Sequence, residues 1–438
     1  MSNKFFFIGI KGTGMAALAT ILHDLGNDVS GSDLPKHFFT EKPLVDRNIK
    51  IYDFDSKDFE VGSTIIIGNA FDETFPEVKK ARENSDVLCY RYHEYVGKMM
   101  NNYVSISVAG SHGKTTTTGI LASMLGYNFN TGYIIGDGTG EIDKSSKYLC
   151  VESCEYRRHF LSYYPDYAII TNIEIDHVDY FKSSEDYLLA YQQFTKNIKK
   201  ALIIFGDDKE NRKLDLKCDH YWYGEGDNND IQAKNYLQNT NNMEFDLYFK
   251  NKYMYHFKLP LVGRHLLWNV LGVITIGILE GIPFNKIEEG ISKFQGTKRR
   301  FVVEEIGENV YIDDYAHHPT EISFTIDAAR NRYPDKKIVA IFKPHRVSRV
   351  LYFAEEFSKE LLKADKVYLC DFTSIDDMEE GIDIDIRYLQ KRILNSEIIE
   401  ENDDGARRLV KENPAVYLFM SSKDIYGLAE IVKRYQSS

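Results

Sequence analysis

Cysteine is scarce in this chain: five residues in 438, at Cys89, Cys150, Cys154, Cys218 and Cys370, odd in number and scattered. Cys150 and Cys154 have three residues between them rather than two, so neither a disulfide framework nor a zinc site fits them. An excess of positive charge is also missing. Lys and Arg total 54 against 66 Asp and Glu, a net charge of −12, which argues against a protein that lives on nucleic acid or anionic lipid. Any anionic substrate must then be held by local basic groups. No window approaches the roughly 18 apolar residues of a membrane span. A basic leader followed by a cleavage site is lacking too. The apolar run Phe5 to Ile8 enters a glycine turn directly and reads as a first strand, not a signal peptide, so a cytosolic protein is expected.

What is present is an alternation of apolar runs and helical patterns, the mark of parallel α/β sheets. A strand over Lys4 to Ile10, a helix over Met15 to Leu25 and strands at Asp28 to Ser32 and Ser63 to Ile67 open the chain, with a helix from Pro76 to about Asn84. The pattern stops near Met99 to Asn102 and restarts with the run Val104 to Val108, the loop Ala109 to Lys114 and a helix from Thr115. Strands follow at Tyr148 to Val151, Tyr167 to Thr171 and Ala201 to Phe205; Lys217 to Lys258 reads as antiparallel excursions, and helices from His265 and Ile287 close the unit. A third alternation has strands at Val310 to Ile312, Ile338 to Phe342, Lys366 to Asp371 and Ala415 to Met420, with helices at Pro319 to Asn331, Val350 to Leu362 and up to Tyr435. The acidic stretch Asp376 to Asp385 reads as a solvated loop. At roughly 150 residues per domain, the length suits about three such units. The expected boundaries are 1–101, 102–297 and 298–438.

The most informative string is Val108-Ala109-Gly110-Ser111-His112-Gly113-Lys114-Thr115-Thr116-Thr117. A strand feeding a glycine loop and then a helix points backbone N–H groups and the positive helix end at an anion. Lys114 can neutralise β and γ oxygens and Thr115 can ligate magnesium, so the string reads as a triphosphate cradle. It departs from the common spacing, because Val108 stands where the first glycine belongs and Gly110 leaves only two intervening residues. Magnesium usually takes a carboxylate as well. Glu152 ends the apolar strand Tyr148 to Val151, where a parallel sheet presents ligands; Glu155 is a weaker candidate. His177, after Thr171-Asn172-Ile173-Glu174-Ile175-Asp176, could reach a second ion.

These residues resemble the Mur ligase family, amide-forming enzymes of cell-wall precursor synthesis, whose phosphate loop reads Gly-Thr-(His/Asn)-Gly-Lys-Thr. The resemblance covers essentially the whole chain. It extends to Gly9-Ile10-Lys11-Gly12-Thr13-Gly14-Met15, Lys298-Arg299-Arg300-Phe301, Asp313-Asp314-Tyr315-Ala316-His317-His318-Pro319-Thr320-Glu321 and Pro344-His345-Arg346-Val347-Ser348-Arg349. His112 in the loop and the last string point to the members that add L-alanine.

The resemblance implies an N-terminal Rossmann-like UDP-binding domain, a central P-loop ATPase domain with a mainly parallel sheet, and a C-terminal Rossmann-like domain. It implies a ligase joining L-alanine to the carboxylate of UDP-N-acetylmuramate through an acyl phosphate, with ATP and Mg2+. Gly110, Ser111, His112, Gly113, Lys114, Thr115 and Thr116 would cradle ATP, with Asn269, Arg300 and Asp314 as further contacts. Thr115 and Glu152 would hold one magnesium and His177 the second, and Lys114 would hold the γ-phosphate. His318, Arg346 and Arg349 would surround the amino acid, with His318 a candidate base for its amine proton. Gly12, Thr13, Gly14, Asp33 and Asn69 would take the UDP part.

Read without the family, Gly9, Gly12 and Gly14 followed by Asp33 resemble a dinucleotide fingerprint, but the spacing Gly-x-x-Gly-x-Gly is weak evidence. A ligase that attaches an intact peptide to the same nucleotide sugar shares the His-containing loop, and a non-catalytic sensor is the rival from another class. Three stretches depart from the family pattern: Leu266 replaces an amide, Lys343 replaces a common Gln, and Ser421-Ser422-Lys423-Asp424 replaces Gly-Ala-Gly-Asp. Ser or Lys would be strained in that last loop wherever it needs positive φ.

Overall fold

Phe5 to Ile8 is apolar on both faces, as a strand covered on both sides must be. In the computed structural model, which describes residues 3–38, 40–372, 378 and 381–435, it lies in the middle strand of a parallel sheet. That sheet runs Lys50–Tyr52, Asp28–Ser32, Lys4–Ile8, Thr64–Ile67, Leu88–Arg91, parallel throughout. Of the acidic stretch, Asp376, Asp377, Glu379 and Glu380 lie outside the described residues.

Among the described residues there are three sheets, of five, ten and six strands, giving a three-domain α/β architecture. In the ten-stranded sheet Val104–Ala109 lies between Tyr148–Glu152 and Tyr167–Ile170 and is parallel to both. Strands at Ala201–Phe205, His220–Gly224 and Ile231–Gln238 continue in parallel, and the sheet turns antiparallel at Met243–Phe249 and Lys252–Leu259. The expectation of antiparallel excursions throughout 217–258 is thus corrected at its first strand: Tyr221 and Tyr223 follow the parallel register of Ile203 and Phe205. The six-stranded sheet runs Val302–Ile306, Asn309–Asp314, Ala415–Met420, Lys337–Phe342, Lys366–Leu369, Ser396–Ile398, with one antiparallel pair at its hairpin edge. The single helix expected over Val350 to Leu362 is two, Val347–Tyr352 and Ala354–Leu361, broken at Phe353 (φ −106°, ψ 23°), whose ring turns inward.

Apolar burial divides the molecule unevenly. Phe5, Phe7 and helix Thr13–Asp24 share one continuous cluster with Leu149, Val151, Ala168, Ile170 and helix Ser184–Phe194, so the N-terminal and central sheets are joined by a common core. Helices Lys114–Asn128 and Arg264–Leu279 cover the other central face through Ile120, Leu121, Val270 and Leu271. The C-terminal sheet has apolar clusters of its own, which among the described residues take Ile175 and Val178 from the central domain.

Candidate active site at the central sheet

The phosphate loop leaves the carboxyl end of Val104–Ala109, where parallel sheets present ligands. Two of its residues need glycine. Gly110 has φ +134°, and a Cβ there would collide with Thr171 Oγ1; Gly113 has φ +81°, and a Cβ would lie 2.9 Å from Asn269 Oδ1. The segment after Tyr167–Ile170 braces the loop. Asn172 accepts the Ser111 and His112 amides at 3.0 and 2.9 Å through its backbone and side-chain oxygens, and Thr171 donates to His112 O at 2.6 Å. Gly113 caps helix Lys114–Asn128, directing its free N–H groups at the loop.

Thr115 Oγ1 donates to Glu152 Oε1 at 3.1 Å, and Glu152 Oε2 accepts the Gly136 amide at 2.6 Å, so a hydroxyl from the first turn of helix Lys114–Asn128 and the carboxylate ending strand Tyr148–Glu152 come to one point. Burial pushes the Glu152 carboxyl up, against the pull of Lys114. Lys114 Nζ donates to Gly110 O at 2.5 Å, Ser111 O at 3.1 Å and Glu155 Oε2 at 3.0 Å. Burial alone would favour the neutral amine, but Glu155 and its acidic neighbours hold Lys114 well above its ordinary value. His177 Nε2 lies 3.6 Å from Glu155 Oε1, and burial lowers its pKa, leaving a neutral imidazole able to ligate.

The ATP candidates converge at the boundary with the C-terminal domain. A cavity of about 860 Å³ is lined by His112, Gly113, Thr116, Asn269, Arg300 and Asp314, within the range of small-molecule sites. His265 and Phe324 stack at 5.1 Å on its wall. Leu266, in place of the family amide, adds apolar lining there. Arg300 donates to Glu321 at 3.1 Å; Asp314 accepts the Phe301 and Ala316 amides at 2.8 Å, and burial raises its pKa to about 6.

His112 lies between two carboxylates, with Nε2 at 3.0 Å from Glu174 and Nδ1 at 3.7 Å from Glu321. Burial disfavours its charged form, but these partners outweigh it and raise the pKa to about 9. His318, 4.5 Å away ring to ring, caps helix Pro319–Arg332: its Nδ1 accepts the Thr320 amide at 3.4 Å. The neutral ring therefore carries its proton on Nε2, a buried donor without a partner among the described residues. Burial drops its pKa to about 4. The expectation that His318 takes a proton meets this obstacle: Nε2 already bears one, and Nδ1 is committed to the helix cap.

Both arginines of the Pro344 to Arg349 string meet carboxylates from across the domain boundary. Arg349, 3% exposed, donates to Asp176 at 2.7 and 3.0 Å; Arg346 pairs with Asp179, and the Tyr156 hydroxyl donates to the same Asp179 oxygen at 2.8 Å. Arg346 has φ +67°, an unusual conformation for a side-chain-bearing residue, and its guanidinium lies 5.5 Å from the Tyr156 ring, which itself packs on His177 at 4.6 Å.

At the N-terminal end, Asp33 accepts the Lys11 amide at 2.7 Å and so shapes the turn that carries Gly12 and Thr13. A Cβ on Gly14 would lie 2.8 Å from Tyr92. Asn69 accepts from His93 at 3.1 Å and donates to His159 at 3.2 Å, the two rings stacked at 4.2 Å. The loop 421–424 is not strained: none of its residues has positive φ, Ser421 N donates to Asp314 O at 3.1 Å, and Arg299 donates to Ser421 O and Lys423 O at 2.7 Å. Glu155, Tyr156, Asp176, Asp179 and the His93–His159 pair are the groups that sequence reasoning left without a role or under-weighted. The only sequence signal for the acidic ones was their nearness to Glu152 and His177.

Fold and loop together define a three-domain, phosphate-loop nucleotide-binding protein. Residues 4–104 match the catalytic domain of the Mur ligase family, 108–277 the Mur ligase middle domain and 298–422 the Mur ligase glutamate ligase domain. The chain belongs to the Mur ligase family, ATP-dependent amide ligases of peptidoglycan synthesis that use a UDP-sugar substrate with an amino acid or peptide. It is similar to UDP-N-acetylmuramate-alanine ligase MurC from Thermotoga maritima, at 25% identity, TM-score 0.80 and 99% coverage of both chains. The murein peptide ligase of Psychrobacter arcticus has the same fold at 20% identity and TM-score 0.72, covering 100% of this chain and 99% of its own. So does Thermotoga maritima MurF, at 16% identity and TM-score 0.67 over 100% of this chain and 98% of that one. Among the described residues no helix is long and apolar enough to cross a membrane.

Proposed function

We propose that the chain joins L-alanine to the lactyl carboxylate of UDP-N-acetylmuramate in the cytoplasm, converting ATP to ADP and phosphate. The observation that carries this reading is Arg346, delivered by the C-terminal domain to the Tyr156 and His177 wall. A guanidinium there suits the planar carboxylate of a free amino acid. The likeness to the alanine ligase over 99% of both chains supports the same substrate. We assign residues 1–101 to the UDP sugar, with Gly12, Thr13, Gly14, Asp33 and Asn69 as contacts, 102–297 to ATP, and 298–438 to the amino acid and the nucleotide's outer wall.

The chemistry asks for positioning and charge neutralisation more than for covalent work by the protein. The muramate carboxylate attacks the γ-phosphoryl group to give an acyl phosphate and ADP; the alanine amine then attacks the acyl carbon and phosphate leaves. Lys114 and the N–H groups opening helix Lys114–Asn128 neutralise the phosphate oxygens, and Gly110 and Gly113 let the backbone approach them. Thr115 and Glu152, hard oxygen donors 3.1 Å apart, fit one magnesium, and the neutral His177 fits a second. When bound, magnesium supplies positive charge to the phosphates. Arg346 orients alanine, Arg349 holds Asp176 beside His177, and His318 Nε2 donates to a substrate oxygen.

The test is phosphate release by the purified protein with ATP, magnesium and UDP-N-acetylmuramate, comparing L-alanine, glycine, serine and an L-Ala-γ-D-Glu-diamino acid tripeptide. Release that requires both the sugar nucleotide and L-alanine supports the proposal. Preference for the tripeptide moves the assignment to a peptide-attaching ligase, and no release with any acceptor leaves a nucleotide-binding sensor.

A further inference from the structure

Glu155 lies three residues beyond Glu152, at the start of the turn Tyr156–Ser162, and is fully buried. Its carboxylate takes Lys114 Nζ at 3.0 Å and the Tyr187 hydroxyl at 3.2 Å, and Tyr187 is also buried and hydrogen-bonded to the Ser111 hydroxyl at 2.9 Å. Lys114 is the one Lys or Arg that pairs with Glu155 among the described residues, at 3.0 Å. A buried carboxylate needs such a partner, because desolvation of an unpaired charge is prohibitive.

Lys114 has a competing task. A phosphate-loop lysine reaches the β and γ oxygens of a bound nucleotide, yet here its three protons go to Gly110 O, Ser111 O and Glu155. Drawing the ammonium to a triphosphate strips Glu155 of its counter-charge while the nucleotide adds negative charge close by. The nearest group able to complete a cation site is His177, whose Nε2 lies 3.6 Å from Glu155 Oε1. Two ligands bound at about 2.1 Å and at right angles are roughly 3 Å apart, so a small movement brings this pair onto one divalent ion.

We propose that Glu155 is an exchangeable ligand: it holds Lys114 until a nucleoside triphosphate draws the lysine away, and then joins His177 in binding the second divalent cation. The inference rests on the ATP-ligase reading and adds a consequence that reading does not contain. Nucleotide and second cation bind cooperatively, because each removes the charge imbalance the other would leave.

The test counts Mn2+ by the electron paramagnetic resonance signal of the free ion, with and without a non-hydrolysable ATP analogue carrying a β,γ-imido bridge. The intact chain is expected to bind two Mn2+ tightly with the analogue and the second at least tenfold more weakly without it. Glu155→Gln is expected to bind the analogue and a single Mn2+, and to bind the analogue in EDTA several-fold more tightly than the intact chain because Lys114 is no longer held. Two tight Mn2+ ions in Glu155→Gln, or one in the intact chain with the analogue bound, would overturn the proposal. If the Gln variant does not fold, Glu155→Asp keeps the charge with a shorter reach. A second-site affinity in Glu155→Asp reduced at least tenfold supports the proposal, and an unchanged one overturns it. Failure of the intact chain to bind the analogue at all would instead discard the ATP reading.

Discussion

Removing the Lys114 ammonium has two separable consequences. The first is on turnover: loss of a group that neutralises transferring phosphate oxygens costs on the order of 10²- to 10³-fold in rate, so Lys114→Ala should release phosphate at least that much more slowly. The second is on stability. The side chain is 14% exposed and pairs with a fully buried Glu155. Breaking a buried pair by removing one partner costs about 3–5 kcal/mol, so Lys114→Ala should also melt several degrees lower, and adding Glu155→Gln should recover part of that loss. An undiminished melting temperature would show that Glu155 finds another partner. Arg346→Ala should raise the KM for alanine at least tenfold with a smaller change in the KM for ATP, measured by phosphate release; an unchanged alanine KM would move the carboxylate anchor elsewhere. At this scale the meeting of Thr115 and Glu152 was legible, since one opens the helix after the glycine loop and the other ends an apolar strand. Their neighbours were not. Glu155 is aimed by a turn containing two consecutive left-handed arginines, Arg157 at φ +51° and Arg158 at φ +59°, which no periodicity signals. Asp176 meets Arg349 from 173 residues away in sequence.

At the scale of elements, what the chain displays by pattern it also forms. The strands at Thr64–Ile67, Ala201–Phe205 and Ala415–Met420 fall where the apolar runs lie, because strands buried on both faces need continuous hydrophobicity. The missed elements are those that carry no such run. Leu88–Arg91 is an edge strand with an exposed leucine, and Val302–Ile306 is an edge strand whose burial never reaches the core. Helix Tyr92–Met100 falls between the helix expected up to about Asn84 and the break expected near Met99, in a stretch where no element is expected, although it packs Val96, Met99 and Met100 into the shared core. The phosphate loop joins the readable strand to the readable helix, and its glycines can be tested as parts of that junction. Gly113→Ala places a side chain at φ +81° and 2.9 Å from the Asn269 amide oxygen. The left-handed conformation alone costs on the order of 1 kcal/mol, and the contact must be relieved by moving helix Arg264–Leu279 or the loop. The expected result is nucleotide affinity reduced more than tenfold by calorimetry, with the circular dichroism spectrum retained. Full affinity would mean that the loop does not take its bound form from this conformation.

Over the whole molecule, the two interfaces between domains are built of different material. The N-terminal and central sheets share an apolar core, which does not respond to pH, while the C-terminal domain meets the central one largely through polar contacts. They include Arg349 with Asp176, Arg346 with Asp179, Thr320 with Glu174 and His112 with Glu321. The length and the alternation implied three units, but the division of labour between interfaces depends on contacts between residues far apart in sequence and was not readable. Among these contacts His112 is the group whose raised pKa, about 9, brings a change of charge on mildly alkaline titration. It faces Glu174 on its own domain, and Glu321 and His318 on the other, with Arg300 bonded to Glu321. Its pKa is raised from the ordinary 6.5 to about 9, so the charged imidazole contributes stability that is fully present below about pH 6.5 and is lost as pH rises through about 9. Loss of that proton leaves Glu174 and Glu321 facing a neutral ring across the boundary. The C-terminal domain should therefore loosen between pH 7 and 9.5 while the N-terminal and central pair stays joined. Small-angle scattering should record a radius of gyration that grows over this interval in the intact chain, and His112→Gln should flatten the dependence by removing the titrating group. Equal growth in both proteins would assign the opening to some other group, and no growth in either would mean that the arginine pairs alone hold the domains together.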